Sequence, residues 1–160
     1  MIQRIQSIFL LVVGLCLIIF LFAPIWEKQD VNSGQSYSQT AFYVEKVANI
    51  ESEIQYVFVP YFIPGALALI AACLALFSIG MYKKRNRQIM ISSVNSLLMG
   101  TTLILSAWWA SKAESSILAG ADSGYQYGLF LPAIALIFNS LAIRFIRKDE
   151  KLVRSMDRLR

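Results

Sequence analysis

Residues 82–112 read YKKRNRQIMISSVNSLLMGTTLILSAWWASK. Four cations, Lys83, Lys84, Arg85 and Arg87, are followed by 24 residues without a charge, Gln88 to Ser111, and then by Lys112. Crossing the ~30 Å hydrocarbon layer takes about 20 predominantly apolar residues at 1.5 Å rise each, so this interval is long enough to be a transmembrane helix. The stretch is polarised as well. Its basic start marks a cytoplasmic end, and Trp108 and Trp109 near its finish fit the aromatic belt of the opposite interface. One segment thus sets both the element type and its direction.

Working outward, three more intervals lack charge: Ile5 to Trp26 with 22 residues, Ile54 to Tyr82 with 29, and Ser123 to Ile143 with 21. Because unpaired backbone amides are prohibitively costly in lipid, each is read as a helix, and the period-2 alternation of a membrane barrel is absent. Spans are predicted near 5–26, 58–82, 89–109 and 127–145. Residues 27–57 and 110–126 become outer loops and 146–160 a cytoplasmic tail, all within one membrane domain of 160 residues. The expected class is all-α, an integral membrane four-helix bundle with both termini inside. Composition agrees: 57% hydrophobic, 16% charged and a mean hydropathy of +0.57, against about 45–50% apolar and about 25% charged in soluble domains. A soluble single-domain enzyme, a disordered tail and a disulfide scaffold are thereby excluded.

The net charge of +5 conceals an asymmetry. Arg4, the turn between spans two and three, and the tail from Arg144 carry 12 of the 15 basic residues, with Asp149, Glu150 and Asp157 as their acids. The outer loops hold Lys28, Lys46 and Lys112 against Glu27, Asp30, Glu45, Glu51, Glu53, Glu114 and Asp122. The balance is +9 inside and −4 outside, and the positive-inside rule gives the N-in/C-in arrangement. Trp26, Trp108 and Trp109, with Tyr56, Tyr61, Tyr125 and Tyr127, fall at predicted outer ends.

In the first outer loop, Asn32-Ser33-Gly34 is a turn signal and the Ser, Thr, Tyr and Phe of Gln35 to Val44 suggest a short hairpin. Val47, Ile50 and Ile54 then recur at helical spacing among charges, which reads as a short amphipathic helix or as a flexible connector. Phe62-Ile63-Pro64-Gly65 and Phe130-Leu131-Pro132-Ala133 open spans two and four alike. Duplication of a two-helix unit would explain this, and so would the composition bias of apolar helices. Ala68, Ala72 and Ala75 are candidate small-residue packing positions. Ser92, Asn95, Ser96 and Asn139 are candidate interhelical hydrogen-bonding groups, or else the lining of a polar path. In the tail, Leu152, Met156 and Leu159 at helical spacing predict a C-terminal cytoplasmic amphipathic helix. Its Arg147, Lys148, Lys151, Arg154 and Arg158 would meet anionic lipid or a partner protein.

The missing chemistry is informative. The chain has no histidine, the commonest general base and metal ligand. Cys16 and Cys73 fall mid-span without the spacing of a metal site and read as small buried hydrophobes. No phosphate-binding glycine loop, nucleophile elbow or paired intramembrane carboxylate is present. No catalytic residue, cofactor or metal is therefore assigned. The basic tail abuts the bilayer and lacks a nucleic-acid-binding pattern.

Three stretches carry a resemblance: Met1-Ile2-Gln3-Arg4-Ile5-Gln6, Tyr82-Lys83-Lys84-Arg85-Asn86-Arg87-Gln88-Ile89, and Ile146 through Arg160 with its IRKDEKLVRSMDRLR ending. Together they resemble domain of unknown function family 4293, membrane proteins of Bacteroidota, over essentially the whole chain. The resemblance implies a four-helix protein of the bacterial inner membrane and supplies no substrate, cofactor or catalytic residue.

Two functional readings follow. The first is a small structural or accessory subunit of a membrane assembly, associating with other membrane proteins or with itself. The alternative is a small homo-oligomeric transporter or channel that works without an intramembrane ionisable residue, unlike most coupled transporters. A membrane enzyme using Glu51 and Glu53 has neither histidine nor motif behind it. The four-span reading requires the first apolar stretch to be retained. Its length, and the absence of a small-x-small site around Phe22-Ala23-Pro24, argue against a cleaved signal peptide. Mass spectrometry of the mature protein should find an N-terminus ahead of Ile5, and a chain starting near Ile25 would remove the first span.

Overall fold

Pro24 ends the first helix: proline has no N–H to donate, and it disfavours the helical conformation of the residue before it. In the computed structural model, which describes residues 2–29, 36–47, 55–57, 61–81, 84–116 and 122–157, α1 accordingly runs Ile2–Phe22. Pro64 and Pro132 lie instead in the first turns of α2 (Phe62–Gly80) and α4 (Leu131–Asp157), where a missing N–H costs nothing. The longest helix, α3 (Arg85–Ser116), has 32 residues, about 48 Å at 1.5 Å rise. All four are long and apolar enough to cross a membrane.

The helices form a ring in which α1 packs on α2, α2 on α3, α3 on α4 and α4 back on α1. The core runs through Val13, Leu17, Phe20, Ala68, Ala71, Ala72, Ala75, Met99 and Ala135. On the α1–α4 side, Phe9 lies 5.9 Å from Phe138 and 5.4 Å from Phe145, centroid to centroid. Outward faces are equally apolar: Ile8, Phe22, Phe77, Leu97, Ile104 and Ile137 are each more than half exposed. Leaving a large apolar side chain in water forgoes about 1.5–3 kcal/mol, and 24 such side chains are exposed among the described residues. An apolar surface this extensive is suited to lipid rather than water, so the molecule is compatible with a multi-pass membrane protein.

The all-α expectation needs correction. The two segments read as outer loops contribute five short strands, β1 (Trp26–Gln29), β2 (Ser36–Gln39), β3 (Val44–Val47), β4 (Gln55–Val57) and β5 (Asp122–Tyr125). They form one antiparallel sheet in the order β4-β3-β2-β1-β5. The expected hairpin is present as β2–β3, closed where Thr40 Oγ1 donates to the Tyr43 carbonyl at 3.0 Å. The amphipathic helix expected around Val47, Ile50 and Ile54 is displaced at both flanks, since Val47 ends β3 and Gln55 begins β4; Ile50 and Ile54 lie outside the described residues. The Asn32-Ser33-Gly34 turn signal also lies outside them.

The sheet is bolted to the bundle through main-chain contacts. Ile25 N donates to Gln39 O at 2.7 Å, Gln126 N to Ile25 O at 3.0 Å, Gly128 N to Pro24 O at 3.1 Å, and Gly65 N to Ala41 O at 2.8 Å. Gly65 stands in the first turn of α2, where N–H groups have no partner within the helix, and the β2–β3 turn supplies one. A β-carbon on Gly65 would strike the Phe42 ring and stand 2.7 Å from Ala41 O; one on Gly128 would strike the Pro24 carbonyl. Gly100, in the interior of α3, has open space instead. We expect Gly128→Ala and Gly65→Ala each to destabilise by about 1–3 kcal/mol through overpacking. Gly100→Ala should cause no loss, since alanine is favoured in a helix interior by up to about 1 kcal/mol. Thermal unfolding of the detergent-solubilised variants checks this order.

Candidate functional site

Between Gln88 and Ser106, α3 buries Gln88, Ser92, Asn95, Met99, Thr102 and Ser106, a spacing of three and four that makes one stripe. Five of these six are polar, whereas Met90, Val94, Leu97 and Ile104 face outward. The polarity of this helix is thus inverted relative to one in water, as expected where the surroundings are apolar and hydrogen-bonding groups are satisfied inside. Gln6 on α1, Ser78 on α2 and Asn139 on α4 are buried too, so every helix contributes a polar side chain to the interior.

Asn139 is the cross-link. Its Nδ2 donates to Ser92 O at 2.7 Å and to Ser96 Oγ at 2.8 Å, while Ser96 Oγ donates to Ser92 O at 3.2 Å. Gln88 Nε2 donates to Ser78 O at 3.1 Å, joining α3 to the last turn of α2. At the end away from the sheet, Arg85 Nη2 lies 3.0 Å from Asp149 Oδ2 without hydrogen-bond alignment, and Arg85 Nη1 donates to the Asp149 carbonyl at 3.3 Å. Several further hydroxyls are satisfied within their own helix: Thr101, Thr102 and Ser140 donate to the carbonyl four residues back. Asn95 is different, because neither its Nδ2 nor its Oδ1 has a partner among the described residues.

The sequence-derived candidates fall into two groups. Ala68, Ala72 and Ala75 are buried on one face of α2, and Ser92, Asn95, Ser96 and Asn139 lie in or beside the polar stripe of a single chain's bundle. Within one chain these residues face neighbouring helices of the same bundle. Arg147, Lys148 and Lys151 stand exposed on α4, Arg154 falls within α4, and Arg158 lies outside the described residues. No separate tail helix begins at residue 146, because α4 continues unbroken to Asp157. Its inward face there is Ile146 and Asp149, while Leu152, expected on the apolar face, is exposed.

Three further expectations are corrected. Cys73 faces outward and Cys16 is only half-buried. Trp26, expected in an interfacial belt, is 1% exposed because the chain turns into β1 and carries it under the sheet against Ala110 and Tyr37. Trp109 is buried and meets Tyr61 edge-on at 5.8 Å, whereas Trp108 is exposed with Lys112 Nζ 5.7 Å above its ring. Gln88, Ser78, Gln6 and the Arg85–Asp149 pair escaped the sequence reading. Gln88 carried a signal, standing four and seven residues before Ser92 and Asn95, but the pairing of Arg85 with Asp149 carried none.

Chemically, this interior is built from neutral amides and hydroxyls, which make hydrogen bonds but offer no strong acid, base or activated nucleophile. Among the described residues no three His, Cys, Asp or Glu side chains come together to hold a metal ion. Glu51 and Glu53 lie outside the described residues. The pattern of the domain of unknown function DUF4293 matches residues 2–159. The chain belongs to the DUF4293 family. No curated protein matches it.

The geometry separates two asparagines of this DUF4293 protein. Asn139 makes two interhelical contacts, each worth about 0.6 kcal/mol on average and at most about 1.7 in membrane bundles. Asn139→Leu is therefore expected to destabilise by about 1–2 kcal/mol, and Asn95→Leu, which breaks no bond to a described residue, by less. Equilibrium unfolding in mixed micelles ranks the two.

Proposed function

We propose that this DUF4293 protein is a small structural or accessory subunit of a protein assembly in the bacterial inner membrane, with both termini cytoplasmic and the sheet outside. The observation that carries the reading is the sheet itself. Two segments separated by α2 and α3 are knitted into one sheet, anchored at Gly65 and Gly128, and among the described strands β4 and β5 each have one neighbour. An edge strand presents unpaired N–H and C=O groups, to which another chain can add a strand. The buried polar groups meanwhile hold helices together, which suits a scaffold.

The register fixes which groups β5 offers. Gln126 N bonds Ile25 O, and hydrogen-bonded pairs alternate along an antiparallel ladder. Glu27 and Gly124 are therefore the next bonded pair, and the N–H groups of Ser123 and Tyr125 point to the open edge. A small transporter or channel is the second reading. Its support is Asn95, a buried amide without a described partner deep within α3.

Extraction directly into lipid nanodiscs, followed by native mass spectrometry, tests the proposal. A stoichiometric partner chain or second copy is expected, and Ser123→Pro, which removes an N–H only at the open edge, should release it while leaving helix content unchanged. A lone chain under these conditions would overturn the subunit reading. Solute flux through liposomes containing the purified protein, reduced by Asn95→Leu, would favour the channel instead.

A further inference from the structure

The outward face of α4 changes character along its length. Leu136, Ile137, Ser140 and Leu141 line a shallow apolar slot that ends on Arg144. The Ser140 hydroxyl donates to its own helix at Leu136 O and so presents no free donor there. From Arg144 a second groove continues along the same face, lined by Arg144, Arg147, Lys148 and Lys151. All four cations are exposed, and none forms an ion pair with a described residue.

Helix geometry sets where the acids of this segment stand relative to them. At 3.6 residues per turn the four cations fall within an arc of about 100°, centred on the direction of Ile137 and Ser140. Asp149 lies about 140° round the helix from Arg144, while Glu150, three residues after Arg147, lies about 60° from it at the flank of the arc. Asp149 is turned toward α3, where Arg85 holds it. The rotation that packs α4 into the bundle thus takes Asp149 away from the positive stripe, and four cations remain against the one flanking acid, Glu150.

We propose that this face is a binding site for one anionic glycerophospholipid, its acyl chain in the slot beside Ile137 and Ser140 and its phosphate among Arg144, Arg147, Lys148 and Lys151. The dimensions suit a lipid within one leaflet. Ile137 to Arg144 rises about 10 Å, less than the ~15 Å half-thickness of the hydrocarbon layer, and Arg144 to Lys151 rises about 10 Å more, the depth of a headgroup region. Arginine adds bidentate phosphate recognition to the point charge of lysine. The site is independent of any protein partner and of the subunit reading.

The test uses the full chain in nanodiscs of phosphatidylcholine containing a minority of phosphatidylglycerol, with retained lipid identified by native mass spectrometry. One phosphatidylglycerol per chain is expected to survive release. Replacing Arg144, Arg147, Lys148 and Lys151 by glutamine should lower its retention at least about tenfold. Ser140→Trp fills the slot and leaves every charge in place, and it should lower retention about threefold or more. Soluble glycerol phosphate should not displace the lipid. The proposal fails if phosphatidylcholine is retained equally, if the glutamine variant or Ser140→Trp holds phosphatidylglycerol as the parent does, or if glycerol phosphate displaces it. Because the quadruple variant removes four charges at once, Lys148→Glu serves as a milder second change, with the same direction of effect.

Discussion

Two backbone carbonyls, those of Pro24 and Ile25, hold the outer end of this molecule together. They accept hydrogen bonds from Gly128 and Gln126, so the exit from α1 and the entry to α4 are fixed to each other across a gap that spans 99 residues between Glu27 and Gln126, themselves bonded side chain to side chain at 3.0 Å. This closes the ring of helices between α1 and α4 and sets β1 beside β5, which adds the fifth strand at one edge of the sheet. It also demands a glycine at 128, because a β-carbon would occupy the place of the Pro24 carbonyl.

The opposite end is organised by charge and by amides. Arg85 and Asp149 join the start of α3 to the last turns of α4, and Gln88 reaches the last turn of α2. Between the two ends, Asn139 links α4 to α3 deep in the bundle. In an apolar medium the hydrophobic effect does not drive helices together, so close packing of Ala68, Ala71, Ala72 and Ala75 and this handful of polar contacts set which faces meet. The large side chains displaced outward form the apolar coat, and the cations of α4 emerge where that coat ends.

Much of the bundle was legible because run length and residue type act locally: about 20 uncharged and mostly apolar residues suffice for a helix long and apolar enough to cross a membrane. The inverted stripe of α3 was half legible, with Ser92, Asn95 and Ser96 recognised and Gln88 overlooked beside the basic turn. The sheet was hidden for a different reason. Its strands are three or four residues long, WEKQ, SYSQ, VEKV, QYV and DSGY, too short for period-2 alternation to rise above chance, and β5 gains its partner only from the far side of the sequence.

By itself, then, the sequence determined the number of helices long and apolar enough to cross a membrane and the charge imbalance between the two ends, because desolvation of charge depends on residue type and run length alone. Tertiary structure decided what the segments between those helices become. Trp26 moved from a supposed interfacial belt to the space beneath the sheet, Cys73 turned outward, and the tail became about three further turns of α4 anchored by Asp149. Those outcomes depend on which backbone groups come within hydrogen-bonding reach once four helices have packed. No local pattern encodes a pairing between residues a hundred positions apart.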